Sequence, residues 1–176
     1  MKYIFKSGIL LAQKGNTPLA KMKGDFIGPQ KRVFLKDKMP VLKTDIRISE
    51  PLPGERRNIH LREYTMADAD GNIVSVGKPG YAEGEDPEAA GWPICRMPHV
   101  DRADIHMSGK DYVLMMHNSQ SYSLRNDGGD VLLQIIHRGL IGGWNIESKV
   151  AFQPEILCGL FAFCRYIEQE NELMIV

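Results

Sequence analysis

The chain lacks the features that would place it in a membrane or disulfide-rich class. No stretch of its 176 residues reaches the length of about 20 apolar residues that a membrane-spanning helix needs. The apolar run near the N-terminus is broken by Lys6 and Ser7, and no small-residue cleavage site follows, so no signal peptide is predicted. The three cysteines, an odd number without metal-ligand spacing, favour neither a disulfide framework nor a zinc site. These absences predict a reduced, cytoplasmic location.

Net charge is also absent, because 22 Lys and Arg residues balance 22 Asp and Glu residues. No field of one sign therefore steers the whole molecule toward nucleic acid, and no nucleic-acid partner is expected. The distribution is uneven, however. Residues 1–50 contain eleven basic and four acidic residues, a net of +7, and the remaining residues carry −7. Two explanations remain open: a basic face for an anionic partner, or segments that neutralise each other across the fold.

Most of the chain has the composition of short β-strands separated by tight turns. Runs of β-branched and aromatic residues are bounded by Gly, Asn, Asp and Pro. Hairpins are predicted at residues 9–22, 33–48 and 103–117, and further strands at 131–137 and 142–152. Within the last of these, Gly142 and Gly143 predict a bulge or bend beside Trp144. Length and composition are those of one domain, residues 1–176.

The C-terminal segment departs from this pattern and predicts one buried helix. Pro154 and Glu155 are favoured in a first helical turn, and the apolar residues that follow cover nearly the whole helix circumference: Ile156, Leu157, Leu160, Phe161, Phe163, Cys164 and Ile167. A helix that is apolar on all sides is buried, so Cys158 and Cys164 are predicted to be core residues. An all-β chain ending in such a helix favours a closed antiparallel β-barrel around it, with a two-sheet sandwich as the alternative.

One pattern of eleven residues occurs twice and predicts a repeated hairpin. Residues 64–74 (YTMADADGNIV) and 122–132 (YSLRNDGGDVL) share a Tyr, a hydroxyl residue, an Asx, a Gly and an aliphatic pair at matching positions. Residues 33–44 are a weaker relative, with Asp37 in the Asx column. Asx and Gly are the residues of a hairpin turn. A calcium loop at residues 68–72 is the alternative, but its ligands are not repeated, because Asp70 corresponds to Gly128.

The repeated hairpin, the meander around it and the closing apolar helix resemble the tubby C-terminal-like superfamily, which includes tubby domains, LURP-one-related proteins and phospholipid scramblases. The resemblance covers about residues 3–170 and is nearest to the small bacterial members. It implies a barrel of about twelve strands around the C-terminal helix. It also implies lipid-related function, since tubby domains bind phosphoinositide headgroups through basic residues on the barrel exterior and scramblases move lipids. LURP-one-like proteins have no settled activity.

The leading site candidate is a set of basic residues in the first two hairpins, which would bind an anionic ligand such as a phospholipid headgroup: Lys21, Lys23, Lys31, Arg32, Lys36 and Lys38. On a strand, Arg32, Phe34 and Lys36 would share one face, and cations beside an aromatic ring suit a phosphate. The alternative is that lysines protect an exposed hairpin from edge pairing. The leading hypothesis is a non-enzymatic binding module without a cofactor, at the membrane periphery.

Two other functions are kept as hypotheses. His99, Asp101, Asp104 and His106 lie close together in sequence and have the side chains of a zinc or manganese site, which would make the protein a metal-dependent enzyme. The alternative is a polar face where a loop enters a strand. Residues 77–91, rich in Gly, Pro and acidic residues, predict a long exposed loop, which would contact a protein partner in an interaction scaffold.

Overall fold

The computed structural model describes residues 1–24, 28–35, 39–49, 61–85, 98–118 and 120–172. Within them lie twelve strands and one α-helix. The elements in chain order are β1 Lys2–Lys6, β2 Ile9–Ala12, β3 Pro18–Gly24, β4 Lys31–Phe34, β5 Leu42–Ser49, β6 Leu61–Asp68, β7 Ile73–Tyr81, β8 Val100–Met107, β9 Lys110–Asn118, β10 Ser121–Asn126, β11 Val131–His137, a 3-10 turn Gly139–Ile141, β12 Trp144–Ser148 and α1 Pro154–Glu172.

Each strand pairs antiparallel with the next along the chain, and the last strand returns to the first, so the sheet closes. The closing ladder joins β1 to β12, from the Lys2–Glu147 pair to the Phe5–Trp144 pair. Closure satisfies the backbone groups that an open sheet would leave at its edges. The predicted closed antiparallel barrel is confirmed, and the two-sheet sandwich is wrong.

The helix fills the inside of this barrel. It begins after Gln153, whose carbonyl accepts the first helical hydrogen bond from the Leu157 amide. Residues 157–164 are all buried without interruption, which requires walls on every side of the helix. Phe161 packs on Phe5 and Trp144, which come from the two strands that close the barrel. The predicted buried hydrophobic helix is confirmed.

The two helix cysteines are core residues, as predicted. Cys158 and Cys164 are fully buried and form no disulfide. Burial raises the pKa of the Cys158 thiol to about 12 and shifts the pKa of Cys164 in the same direction. Both side chains therefore stay protonated and act as small apolar groups.

The repeated pattern forms two equivalent hairpin turns. In the first, Asp68 Oδ1 accepts hydrogen bonds from the Asp70 and Asn72 amides at 3.0 and 2.9 Å. In the second, Asn126 Oδ1 accepts one from the Asp130 amide at 2.8 Å. The glycines of the shared column have φ of +88° at Gly71 and +81° at Gly129. Both hairpins also carry a register shift at the same column, after Met66 and after Leu124. The hairpin interpretation is confirmed.

The prediction of a loop over residues 77–91 is wrong for its first part, because β7 continues to Tyr81. Pro79 is tolerated in the strand because the β6 ladder ends at Gly77, so no partner on that side needs its amide. Gly77 lets the backbone of β7 approach the helix closely, since a Cβ at this position would lie 3.1 Å from the Phe163 ring. Gly and Pro thus serve packing here, which composition alone does not reveal. Residues 86–91 lie outside the described residues.

The barrel has two distinct ends. The turn end carries the hairpin turns at residues 13–17, 69–72, 108–109 and 127–130, and the helix enters the barrel there after Ser148. The exit end is where the helix finishes, with the Tyr166 hydroxyl donating to the Pro29 carbonyl at 2.8 Å and Asn171 bonding to the Val100 backbone. The bend predicted beside Trp144 also lies at the exit end, with Gly142 and Gly143 at φ of +70° and +83°.

Candidate functional site: a basic face on the barrel exterior

Three cations from three neighbouring strands form a row on the outer surface. Lys23 on β3 pairs with Arg32 on β4, and Arg32 pairs with Lys43 on β5. All three are exposed, whereas their neighbours Val33 and Leu42 point into the core. Directly paired residues hold their Cβ atoms about 4.5–5.5 Å apart, so the three long side chains can converge on one anion.

A second outer row lies beside the first. It runs across four strands and consists of Lys6, Ile9, Lys21 and Phe34. Lys23 Nζ lies 5.6 Å from the centroid of the Phe34 ring, which orients its ammonium group by a cation–π contact. We call Lys21, Lys23, Arg32 and Lys43 the basic face.

Three of the four members of the basic face, Lys21, Lys23 and Arg32, lie in a sector of the barrel without described acidic residues. Residues 1–24 and 28–35 contain seven Lys and Arg residues and no Asp or Glu. The nearest described carboxylate along β5, Asp45, accepts hydrogen bonds from Gln30 Nε2 and its neighbour's amide. Within the described part of the chain, no carboxylate lies in ion-pair distance of Lys21 or Lys43. The sector therefore presents positive charge to solvent.

The structure brings together three of the six predicted basic residues: Lys21, Lys23 and Arg32. Lys31 does not join them, because it lies on the opposite side of β4, where its chain packs over Gly24 and its ladder partner is the buried Thr44. Lys36 and Lys38 lie outside the described residues. The alternative that these lysines guard a sheet edge is wrong, since a closed barrel has no edge there.

Lys43 is a member of the face that the sequence analysis missed. Its place depends on the register of β4 against β5, which pairs Arg32 with Lys43 across the hairpin. The alternation of strand residues predicts that Lys43 points outward, but only the pairing of β4 with β5 shows that it lies beside Arg32. Register across a connection of several residues is not readable from one sequence.

A buried polar cluster at the exit end was also missed. The Tyr122 hydroxyl and the Arg165 guanidinium both donate to the carboxyl group of Glu168. Burial raises the pKa of Glu168 to about 7, and the nearby Glu172 carboxylate adds to the shift. The signal that could have found it is a pair of acidic residues, Glu168 and Glu170, continuing an otherwise apolar helix.

The other half of this cluster involves the first repeat. Glu170 forms an ion pair with Arg62. Burial raises the pKa of the Glu170 carboxyl group, and the positive charge of Arg62 partly opposes this shift. Burial and the Glu170 carboxyl group raise the pKa of the Tyr64 hydroxyl. Neither the Tyr64 hydroxyl nor Glu170 Oε1 has a hydrogen-bond partner among the described residues. The cluster joins helix to barrel, and its carboxyl groups are enclosed rather than open to a ligand.

The four predicted metal ligands do not come together. Asp104 and His106 share the outer face of β8, as predicted. His106 Nδ1 lies 2.7 Å from Asp111 Oδ1 across the hairpin, Asp101 pairs with Arg102, and the His99 amide donates to Glu85. Over the described ranges, no group of three or more His, Cys, Asp and Glu side chains is placed to hold a metal ion.

No family model, curated protein or solved structure matches the chain. In the part of the chain that the structure describes, no helix has both the length and the apolar character needed to cross a membrane.

Proposed function

We propose that the protein is a non-enzymatic module that binds an anionic ligand of the phospholipid-headgroup class through its basic face. The observation that carries the proposal is the row of Lys23, Arg32 and Lys43 on three paired strands. The location that follows is cytoplasmic, at the membrane periphery. Membership of the tubby C-terminal-like superfamily stays a prediction, and the proposal does not depend on it.

The chemistry of the row fits phosphate better than an isolated carboxylate. Arg32 offers a planar guanidinium for two parallel hydrogen bonds, and the lysines add point charges on either side. These side chains stand on a rigid barrel, so little backbone ordering is required on binding. A ligand with several phosphate oxygens can contact all three cations together.

The test is sedimentation with vesicles of phosphatidylcholine, with and without phosphatidylserine or a phosphatidylinositol phosphate. The variant is Lys23→Glu/Arg32→Glu. Its matched control is Lys14→Glu/Lys110→Glu, which makes the same charge change at two exposed residues of the turn end, one in the turn after β2 and one at the start of β9. Because each cation near an anionic surface contributes about 1 kcal/mol, we expect the first variant to lose about tenfold or more in affinity for anionic vesicles.

The control should lose about twofold or less, since its charges lie away from the face and are screened by salt. Equal losses in both variants would show a response to net charge only. Undiminished binding by Lys23→Glu/Arg32→Glu would remove the basic face as the site. Failure of the unaltered protein to bind any anionic vesicle would overturn the lipid class.

A further inference from the structure

An apolar tip protrudes from the exit end of the barrel. The turn Gly139–Ile141 joins β11 to β12, and at its apex Leu140 is fully exposed while Ile141 is 65% exposed. Ile136, the last residue but one of β11, is 46% exposed on the strand that leads into this turn. Single exposed aliphatic residues are ordinary. Adjacent ones on a convex turn leave a connected apolar surface in water, which is unfavourable in free energy.

The turn has a fixed shape and satisfies much of its own backbone. The Arg138 amide donates to the Gly143 carbonyl at 2.9 Å, and the Gly142 amide donates to the Gly139 carbonyl at 3.0 Å. Lys6 Nζ donates to the Ile141 carbonyl at 3.1 Å. Backbone groups that already have hydrogen-bond partners lose less hydration free energy when they leave water. Such a turn can therefore enter a low-dielectric layer with a smaller desolvation penalty.

Two cations lie next to the tip, and described acidic residues are absent from its neighbourhood. Lys6 bonds to the tip itself, and Arg138 directly precedes the turn along the chain. Residues 131–146 contain no Asp or Glu, and neither do the described residues of 1–35. The outer row of Lys6, Ile9 and Lys21 then links the tip to the basic face. The charge of this surface complements an anionic one.

We propose that Leu140 and Ile141 are a membrane anchor that inserts into the interfacial layer of a bilayer containing anionic lipids, while Lys6 and Arg138 contact lipid phosphates. A bilayer accepts a convex apolar tip without a matching cavity, and its headgroups supply the anions. The inference rests on the proposed function, because it makes the anionic ligand part of a lipid surface. It adds a second binding element that acts through apolar insertion.

The anchor is tested with Leu140→Ser/Ile141→Ser, using Met39→Ser as the control because Met39 is an exposed apolar residue at the turn end. Vesicle sedimentation with phosphatidylserine measures membrane affinity. Inositol hexakisphosphate, a soluble polyanion without acyl chains, probes the basic face alone. We expect the tip variant to lose about tenfold or more in vesicle affinity and to bind inositol hexakisphosphate unchanged, with Met39→Ser unaffected in both assays.

Insertion itself is read from the fluorescence of Leu140→Trp, which should shift to the blue on adding vesicles and be quenched by brominated acyl chains. Wild-type vesicle affinity in the tip variant, or an unshifted spectrum, overturns the anchor and leaves the basic face standing. The proposed function fails if inositol hexakisphosphate does not bind and Lys23→Glu/Arg32→Glu keeps its vesicle affinity. In that case a loss of vesicle affinity in Leu140→Ser/Ile141→Ser still supports the anchor. Capture of a protein through Leu140 without vesicle binding assigns the tip to a protein partner and overturns the membrane inference.

Discussion

Tyr64 and Tyr122 occupy the same column of the internal repeat, and each faces a carboxyl group of the helix. Tyr122 bonds to Glu168, and Tyr64 lies beside Glu170. Because successive helix residues are about 100° apart, side chains two positions apart point in nearly opposite directions. The repeated tyrosines therefore approach the end of the helix from two sides of the barrel. This arrangement fixes both the depth and the rotation of the helix.

The Tyr122 contact gives a prediction for stability. Tyr122→Phe removes the hydroxyl donor and leaves one bond fewer to a buried carboxyl group. Because a buried polar group that loses its partner costs about 1–3 kcal/mol, we expect the free energy of unfolding in urea to fall by that amount. Tyr3→Phe is the control, since its hydroxyl is exposed and, among the described residues, bonds only to Met1 Sδ at 3.3 Å. A loss in the control as large as in Tyr122→Phe would contradict this role.

At single positions, the sequence predicts conformation better than it predicts partners. Asp68, Gly71 and Gly129 could be assigned to turns because their side chains, or the lack of one, act on the local backbone. The side of β4 on which Lys31 lies depends on the strand's alternation, which Val33 in the core fixes. Arg165, one partner of Glu168, is three residues away on the same helix, but the other partner, Tyr122, comes from a strand 46 residues away, and no local rule connects the two.

At the scale of elements, the repeat makes a quantitative prediction about its glycines. A Cβ at Gly71 or Gly129 meets nothing within 4 Å, so the cost of alanine there is the cost of positive φ alone. We expect Gly71→Ala and Gly129→Ala to lower the free energy of unfolding by about 1–2 kcal/mol each, and by similar amounts. Thermal or urea unfolding measures both losses.

Gly128 provides the matched control in the same turn, because its φ is not positive and a Cβ would stand 3.4 Å from Asn126 Oδ1. Gly128→Ala should be within about 0.5 kcal/mol of the unaltered protein, or slightly more stable, since it restricts the unfolded chain. Equal costs at positions 128 and 129 would show that lost flexibility, rather than backbone conformation, decides the effect.

Elements with one dominant periodicity were predictable, and elements shaped by packing were not. Alternation and turn residues identify the hairpins, and apolar residues on every face identify α1. The second half of β7 was not predicted as strand because its glycines and Pro79 are there for reasons of packing. Gly77 lies against Phe163, and a Cβ at Gly80 would stand 2.7 Å from the Arg102 side chain. Such contacts exist only in the closed barrel.

At the scale of the whole molecule, the structure clarifies the uneven charge. The two parts of the chain neutralise each other where Lys2 meets Glu147 at 2.9 Å near the turn end, whereas the ion pair of Arg62 with Glu170 lies wholly within residues 51–176. The outer sector from β1 to β4 has no such described acidic neighbours at the exit end. Neutralisation across the fold therefore occurs at the Lys2–Glu147 pair, and a basic face for an anionic partner stays a prediction. The balance at each place follows from strand order, which the composition does not contain.

Stability should depend on pH through the buried end of the helix. Burial, with Glu172, raises the pKa of Glu168 from 4.5 to about 7, so the folded protein keeps a proton that the unfolded chain releases. The stabilisation is complete below about pH 4.5, falls as the pH rises, and is lost above about pH 7. Its size is at most about 3 kcal/mol, because one pKa unit corresponds to about 1.4 kcal/mol, and the ion pair with Arg165 reduces it by favouring the ionised form.

Glu168→Gln isolates this effect, because glutamine does not titrate and Glu170 contributes equally to both proteins. We expect the free energy of unfolding of the unaltered protein to fall, relative to Glu168→Gln, as the pH rises through that window, when both are measured by urea denaturation. Glu147→Gln, an exposed change in the Lys2 pair, should follow the unaltered protein because solvent screens that pair. Parallel curves for Glu168→Gln and the unaltered protein would mean that Arg165 and Tyr122 hold Glu168 ionised inside the barrel. The ion pair of Arg165 with Glu168 would then stabilise the helix end, and Arg165→Met should destabilise the protein more at neutral than at acidic pH.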